Sequence, residues 1–160
     1  FTKNHLIMKK VIISLVLLAM MSACVNVGTP PDEEINIEET VMTDDGIFVH
    51  ISHGYDNPHR VLMGLNLAVM MSEEKDVLVY IDITGVNFVL KDAEDIEYSH
   101  FPSAHTSISK LVEKGIPVMV CPGCLKAAGK SAEDVMDGVM IAEKDRFFDF
   151  TDGRILTIDY

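Results

Sequence analysis

From residue 46 to the C-terminus, apolar and polar positions switch repeatedly between the period of a strand and the period of a helix. Residues 46–52 (Gly-Ile-Phe-Val-His-Ile-Ser) read as a strand, and Asp56-Asn57-Pro58 then supplies a helix cap with proline in the first turn. The helix is expected to run to about Glu74. On it Val61, Leu62, Leu65, Ala68 and Val69 form one apolar stripe, suited to covering a sheet, and Met63, Leu67, Met70 and Met71 form a second. That second stripe needs either other elements or another subunit to cover it. Residues 77–83 are a nearly unbroken apolar run rich in β-branched side chains, the pattern of a strand buried on both faces of a parallel sheet, and residues 116–120 repeat it. Between them, 92–106 is acidic and irregular, followed by a helix near 107–114 that stops at Gly115. Further on, the pattern predicts helical structure at about 125–136, a short strand at 139–142, a short helix at 144–148 and a last strand at 154–158. Short parallel strands need right-handed helical crossovers, so this alternation predicts one α/β domain: a five-stranded, mainly parallel sheet with helices on both faces.

Upstream of the domain, Met8-Lys9-Lys10 precedes an apolar run at 11–21, which reads as an export signal with residues 1–7 lying before the natural start. The run is too short to span a bilayer comfortably. It ends in Met21-Ser22-Ala23-Cys24, similar to a bacterial lipobox, in which small residues precede a cysteine that is lipidated and becomes the new N-terminus. An ordinary cleaved signal peptide or a retained anchor is the alternative. Pro30 and Pro31, then Asp32, Glu33, Glu34, Glu38, Glu39, Asp44 and Asp45, favour an extended tether through charge repulsion and stiffness. The expected organisation is a signal segment at 1–24, an acidic tether at 25–45 and the α/β domain at 46–160, exported and lipid-anchored to the cell envelope on its periplasmic side or outer surface. At 160 residues, 48% of them apolar, the chain suits one compact domain plus a short extra segment.

Charge narrows the partners. Three of the 13 basic side chains, Lys3, Lys9 and Lys10, lie before the expected cleavage site, whereas none of the 25 acidic ones does, so the formal charge of −12 understates the acidity of the exported protein. Such a surface repels phosphate backbones and anionic headgroups. Nucleic-acid binding is therefore disfavoured, and membrane contact is expected only through the N-terminal lipid.

In open parallel sheets the usable crevice lies beyond the carboxyl ends of the strands. The first strand delivers Ser52, His53 and Gly54 there, with Asn57 and His59 opening the following helix. The second delivers Asp82, Thr84 and Gly85, and the third delivers Cys121. Ser52, Asn57, His59, Thr84 and Gly85 are thus candidates to line the crevice. A thiol at a strand end, immediately before a helix, meets unpaired amide N–H groups that favour thiolate over thiol. Cys121 is the candidate nucleophile, His53 the candidate to orient or deprotonate it, and Cys124 an auxiliary thiol. The plainer alternative makes Cys121 a buried apolar residue, with Cys124 facing the helix packing.

No metal is expected. His50 and His53 stand three apart on a strand and point to opposite faces, which leaves His50 as a satisfied core histidine and His59 as a helix-opening residue. A site formed by Cys121, Cys124, His53 and His59 is sterically imaginable but is the weaker reading. The chain has no G-x-G-x-x-G, P-loop or G-x-S-x-G motif, so neither a nucleotide cofactor nor nucleophile-elbow hydrolysis is expected.

The stretch Gly115-Ile116-Pro117-Val118-Met119-Val120-Cys121-Pro122-Gly123-Cys124-Leu125-Lys126-Ala127-Ala128-Gly129, followed by Gly138-Val139, resembles the DsrE/DsrF-like sulfur-relay family. The resemblance extends from about Gly46 to Tyr160 and takes in Asn57-Pro58-His59-Arg60 and residues 81–86. It implies a flavodoxin-like, three-layer fold with the reactive cysteine after the third strand. By that likeness Cys121 accepts a sulfane sulfur as a persulfide and passes it on, the donor and acceptor being proteins or small thiols. It also implies a homo-oligomer, trimeric or hexameric. Two other readings stay open: a thiol redox protein using the Cys121-Pro122-Gly123-Cys124 pair, which an oxidising compartment can close into a disulfide, and a non-enzymatic ligand-binding or assembly module.

Overall fold

The computed structural model describes residues 45–160, so the expected signal segment, the lipidation site Cys24 and the tether before Asp45 lie outside the described residues. The elements follow in the order β1 (Gly46–Ile51), α1 (Pro58–Met71), β2 (Asp76–Ile81), a 3₁₀ stretch (Ile83–Val89), α2 (Ala104–Glu113), β3 (Val118–Val120), α3 (Pro122–Ala127), a short 3₁₀ turn (Ala132–Asp134), β4 (Met140–Ile141), α4 (Lys144–Phe150) and β5 (Ile155–Asp159). The five strands form one sheet in the order β4-β3-β2-β1-β5, and all four pairings are parallel. This is the architecture the alternating pattern predicts.

Period-2 alternation assigns the faces. Ile47, Val49 and Ile51, Val77, Val79 and Ile81, and Val118 and Val120 point to one side, where they pack on Val61, Leu62, Leu65 and Ala68 of α1 and on Ala104, Ile108 and Leu111 of α2. The intervening residues Phe48, His50, Leu78, Tyr80 and Met119 form the second side. There Phe147 of α4 lies 6.0 Å from the Phe48 ring and 5.0 Å from the Tyr80 ring, the latter edge-on. Each helix end has a local cause. Asn57 Oδ1 accepts the Arg60 N–H at 3.2 Å to start α1. Gly115, at φ +74°, lets Ile116 N–H reach the Leu111 carbonyl at 2.9 Å and close α2.

Several expected boundaries move, the first helix ending at Met71 rather than near Glu74 and the third strand beginning at Val118. The helix expected at 125–136 divides, because Gly129 at φ +72° ends α3 and Ser131 and Asp134 then bond reciprocally around the short 3₁₀ turn. The helix expected from residue 107 begins three residues earlier, capped by Ser103 with Asp95 accepting the His105 N–H. Ile83, expected inside the second strand, leaves it at φ +45° and opens the 3₁₀ stretch, whose Val86, Phe88 and Val89 are buried in the core. On α1 the second stripe is covered in part: Met71 packs against the core, whereas Met63 and Met70 are exposed.

Candidate functional site

Cys121 continues β3 by one residue: its N–H donates to the Ile81 carbonyl at 2.9 Å, and its carbonyl accepts from Leu125 in the first turn of α3 at 3.0 Å. The half-buried side chain caps that turn, Sγ accepting the Cys124 N–H at 3.4 Å. Val120 pairs with Ile81, so Cys121 comes level with Asp82 on the neighbouring strand and shares the second face with Tyr80. Both cysteines are free thiols.

The environment splits the two thiols. Burial opposes ionisation of Cys121, but hydrogen bonding by the Tyr80 hydroxyl, by the Cys124 N–H and thiol and by the Gly123 N–H outweighs it, holding Cys121 below the ordinary thiol value. Cys124 is pushed the other way, by burial first and then by acting as donor to Cys121. Burial and the same sulfur also raise the Tyr80 phenol, keeping it a donor. Of these groups the Cys124 N–H stands in hydrogen-bond geometry with the sulfur, and together they shift the balance from thiol toward thiolate.

Beside Tyr80 lies a charged group that the sequence reading treats as core. His50 is not a core histidine: it stands on the second face with its ring stacked 5.7 Å from Tyr80, its Nδ1 2.9 Å from Asp159 Oδ1 and its Nε2 2.9 Å from Asp82 Oδ1. Nε2 and Asp82 Oδ1 are shut off from solvent and not aligned as a hydrogen bond, so their contact is an ion pair by distance. Burial opposes charging of His50, but the carboxylates of Asp82 and Asp159 outweigh it and raise its pKa, favouring the imidazolium. Asp82 in turn bears on both Tyr80 and Cys124. The alternation that puts His50, Tyr80 and Asp82 on one face was readable in the sequence; the pairing with Asp159, 109 residues away, was not.

The other expected crevice residues gather around the end of β1. His53 Nδ1 lies 2.6 Å from Asp56 Oδ2, and its Nε2 lies 3.4 Å from Arg60. Asp56 Oδ1 accepts the Gly54 N–H at 2.8 Å and the Thr84 hydroxyl at 2.9 Å, and the same hydroxyl is 3.0 Å from the Ser52 carbonyl. These bonds, that from His53 foremost, hold the Asp56 carboxyl well below the usual carboxylate range. Gly85 is buried against the carbonyls of Ile51 and His53, where a Cβ would lie 3.0 Å from each oxygen. Asn57 caps α1, and His59 stacks on Tyr98 at 4.8 Å. The structure therefore joins Cys121 to Cys124, Tyr80 and Asp82, and joins His53 to Asp56, Arg60 and Thr84, with β2 between β1 and β3. The ring nitrogens of His53 are engaged by Asp56 and Arg60, and the groups acting on the Cys121 thiol belong to Tyr80, Cys124 and Gly123. Among the described residues no three His, Cys, Asp or Glu side chains are grouped so as to hold a metal ion. A cleft lined by Gly46, Ile47, Lys75, Arg154 and Leu156 opens at the amino end of the strands, away from the thiols.

The fold has counterparts among solved structures. Among solved structures, the ychN protein from E. coli superposes with a TM-score of 0.55 at 19% identity, covering 73% of this chain and 100% of that one. Protein MTH1491 from Methanobacterium thermoautotrophicum, described as of unknown function, gives 0.53 at 22% identity over 74% of this chain and 100% of its own. At such identities the likeness is one of fold. No curated protein matches the sequence. The model of the DsrE/DsrF-like family, however, matches residues 45–152, the greater part of the chain. The chain belongs to the DsrE/DsrF-like family.

Proposed function

We propose that this protein is an exported, lipid-anchored sulfur carrier whose acceptor atom is Cys121 Sγ. The observation that carries the reading is the Cys124 N–H directed at that sulfur at 3.4 Å from the first turn of α3, with Tyr80 on the same face of the neighbouring strand, both favouring its ionised form. Membership of a family associated with sulfur relay supports it. In the loading step the Cys121 thiolate attacks the sulfane sulfur of a persulfide donor. One S–S bond forms, the donor's S–S bond breaks, and the donor thiolate leaves with the electron pair. In unloading, an acceptor thiolate attacks the outer sulfur and Cys121 departs as thiolate. Half-burial suits both steps, since the atom is open to a visitor while its donors stay fixed. The donor and acceptor are proteins or small thiols meeting an acidic surface, and the assembly is a homo-oligomer, trimer or hexamer.

The test is intact mass after exposure of the reduced protein to a sulfane-sulfur donor such as glutathione persulfide. Cys124→Ser, which keeps Cys121 as the lone thiol of the pair, gains one sulfur, removable by a reductant, and Cys121→Ser gains none. Equal uptake by the two proteins, or none by either, rejects the proposal.

A further inference from the structure

As a carrier Cys121 needs only donors, yet the structure builds a second sulfur environment around Cys124. Its Sγ accepts the Ile83 N–H at 3.2 Å. Ile83 reaches that geometry at φ +45°, a left-handed conformation that a β-branched side chain strongly resists. Its side chain is 62% exposed, so packing does not account for the conformation. What the turn accomplishes is to take the backbone out of β2 after Asp82 and aim one N–H at Cys124. The two cysteines already meet at the first turn of α3, where Cys124 N–H donates to Cys121 Sγ at 3.4 Å.

We propose that Cys124 is a resolving thiol, activated by the Ile83 N–H, that converts the persulfide on Cys121 into hydrosulfide and an internal disulfide. This rests on the carrier reading of Cys121. In the resting protein Cys124 spends its proton on the Cys121 thiolate. Once Cys121 holds a sulfane sulfur, the anionic charge moves one sulfur outward and that acceptor is gone, while the Ile83 N–H remains to stabilise a Cys124 thiolate. That thiolate attacks Cys121 Sγ. The Cys121–Cys124 bond forms, the bond from Sγ to the outer sulfur breaks, and the outer sulfur leaves with the electron pair as hydrosulfide, the Cys124 proton passing to it or to solvent. The outer sulfur is reduced by two electrons and the two cysteines are oxidised by two. A dithiol reductant resets the pair through two exchanges, ending as its own disulfide. The carrier then has a second outlet, discharging its persulfide as hydrosulfide when no acceptor thiol takes the outer sulfur.

The experiment loads the full chain with glutathione persulfide, desalts it rapidly, and follows intact mass together with hydrosulfide trapped by monobromobimane. Wild type loses its added sulfur, yielding one trapped hydrosulfide per chain and the Cys121–Cys124 disulfide. Cys124→Ser, with Cys124→Ala as a second variant, keeps the persulfide at least tenfold longer and yields no disulfide. Variants that take up sulfur and release hydrosulfide as fast as wild type overturn the resolving role and leave the carrier reading standing. Variants that take up no sulfur while Cys121 still alkylates overturn both.

Discussion

Replacing Tyr80 with phenylalanine removes one hydroxyl from the sulfur's surroundings and little else. The ring keeps its stacking on Phe48 at 6.1 Å and its edge contact with Phe147, so the sheet face stays packed. A hydrogen bond to an ionised group contributes about 1.5–3 kcal/mol. Sulfur is a diffuse acceptor and Cys121 is partly open to water, so about 1 kcal/mol is the fitting figure here, equivalent to roughly a fivefold shift between thiolate and thiol. The loss falls on the charged form, so the Cys121 thiol pKa rises in Tyr80→Phe. Below that pKa the rate of alkylation by iodoacetamide tracks the thiolate fraction and falls about fivefold, whereas above it the two proteins converge. The assay is the full pH profile of alkylation in a Cys124→Ser background, which isolates Cys121, with urea unfolding as a check that the domain is intact. A Tyr80→Phe profile that overlays the parent refutes the assignment of Tyr80 as a donor to the thiolate.

Three further outcomes test the frame around the site. His50 has a folded pKa above its unfolded value, so its pairing with Asp82 and Asp159 stabilises the domain fully below the unfolded histidine pKa and is lost as pH rises through the folded one. The urea midpoint of wild type should exceed that of His50→Gln most at about pH 5.5 and least at about pH 9, and a gap independent of pH contradicts the pairing. Leu65, wholly buried where α1 meets the sheet, should cost about 2–5 kcal/mol when changed to alanine, measured by the same unfolding, and a loss below the lower figure would mean that α1 is packed differently. Gly54→Ala would place a Cβ 2.6 Å from the Thr84 carbonyl oxygen, backbone against backbone, and should destabilise by about 1–3 kcal/mol; an unchanged midpoint would rule out that close approach.

The fold was legible because its signals are local. Unbroken β-branched runs, a proline after an Asn cap and a glycine at a helix end each act within a few residues, and they specified five strands, their parallel pairing and Cys121 at the mouth of the third. One boundary error, the early end of α3 at Gly129, has a local cause, and another does not. Ile83 looks like the end of a strand by composition, but the turn it makes brings its N–H to the Cys124 sulfur, 41 residues away in sequence. The site was legible in part. The spacing of Cys121 and Cys124 was on the page, and so was the shared face of His50, Tyr80 and Asp82. What those side chains meet was not, because neighbours across a sheet are set by strand order and register, which periodicity does not encode.

The amino-acid sequence by itself determined the layered α/β architecture and placed a thiol at the carboxyl edge of a buried strand, since backbone preference and apolar spacing are properties of short segments. Only the tertiary structure decided which groups surround that thiol. Strand order puts Tyr80 and Asp82 beside Cys121 and brings Thr84 to Asp56, and the return of β5 brings Asp159 to His50, because proximity between distant residues exists only once the sheet has closed.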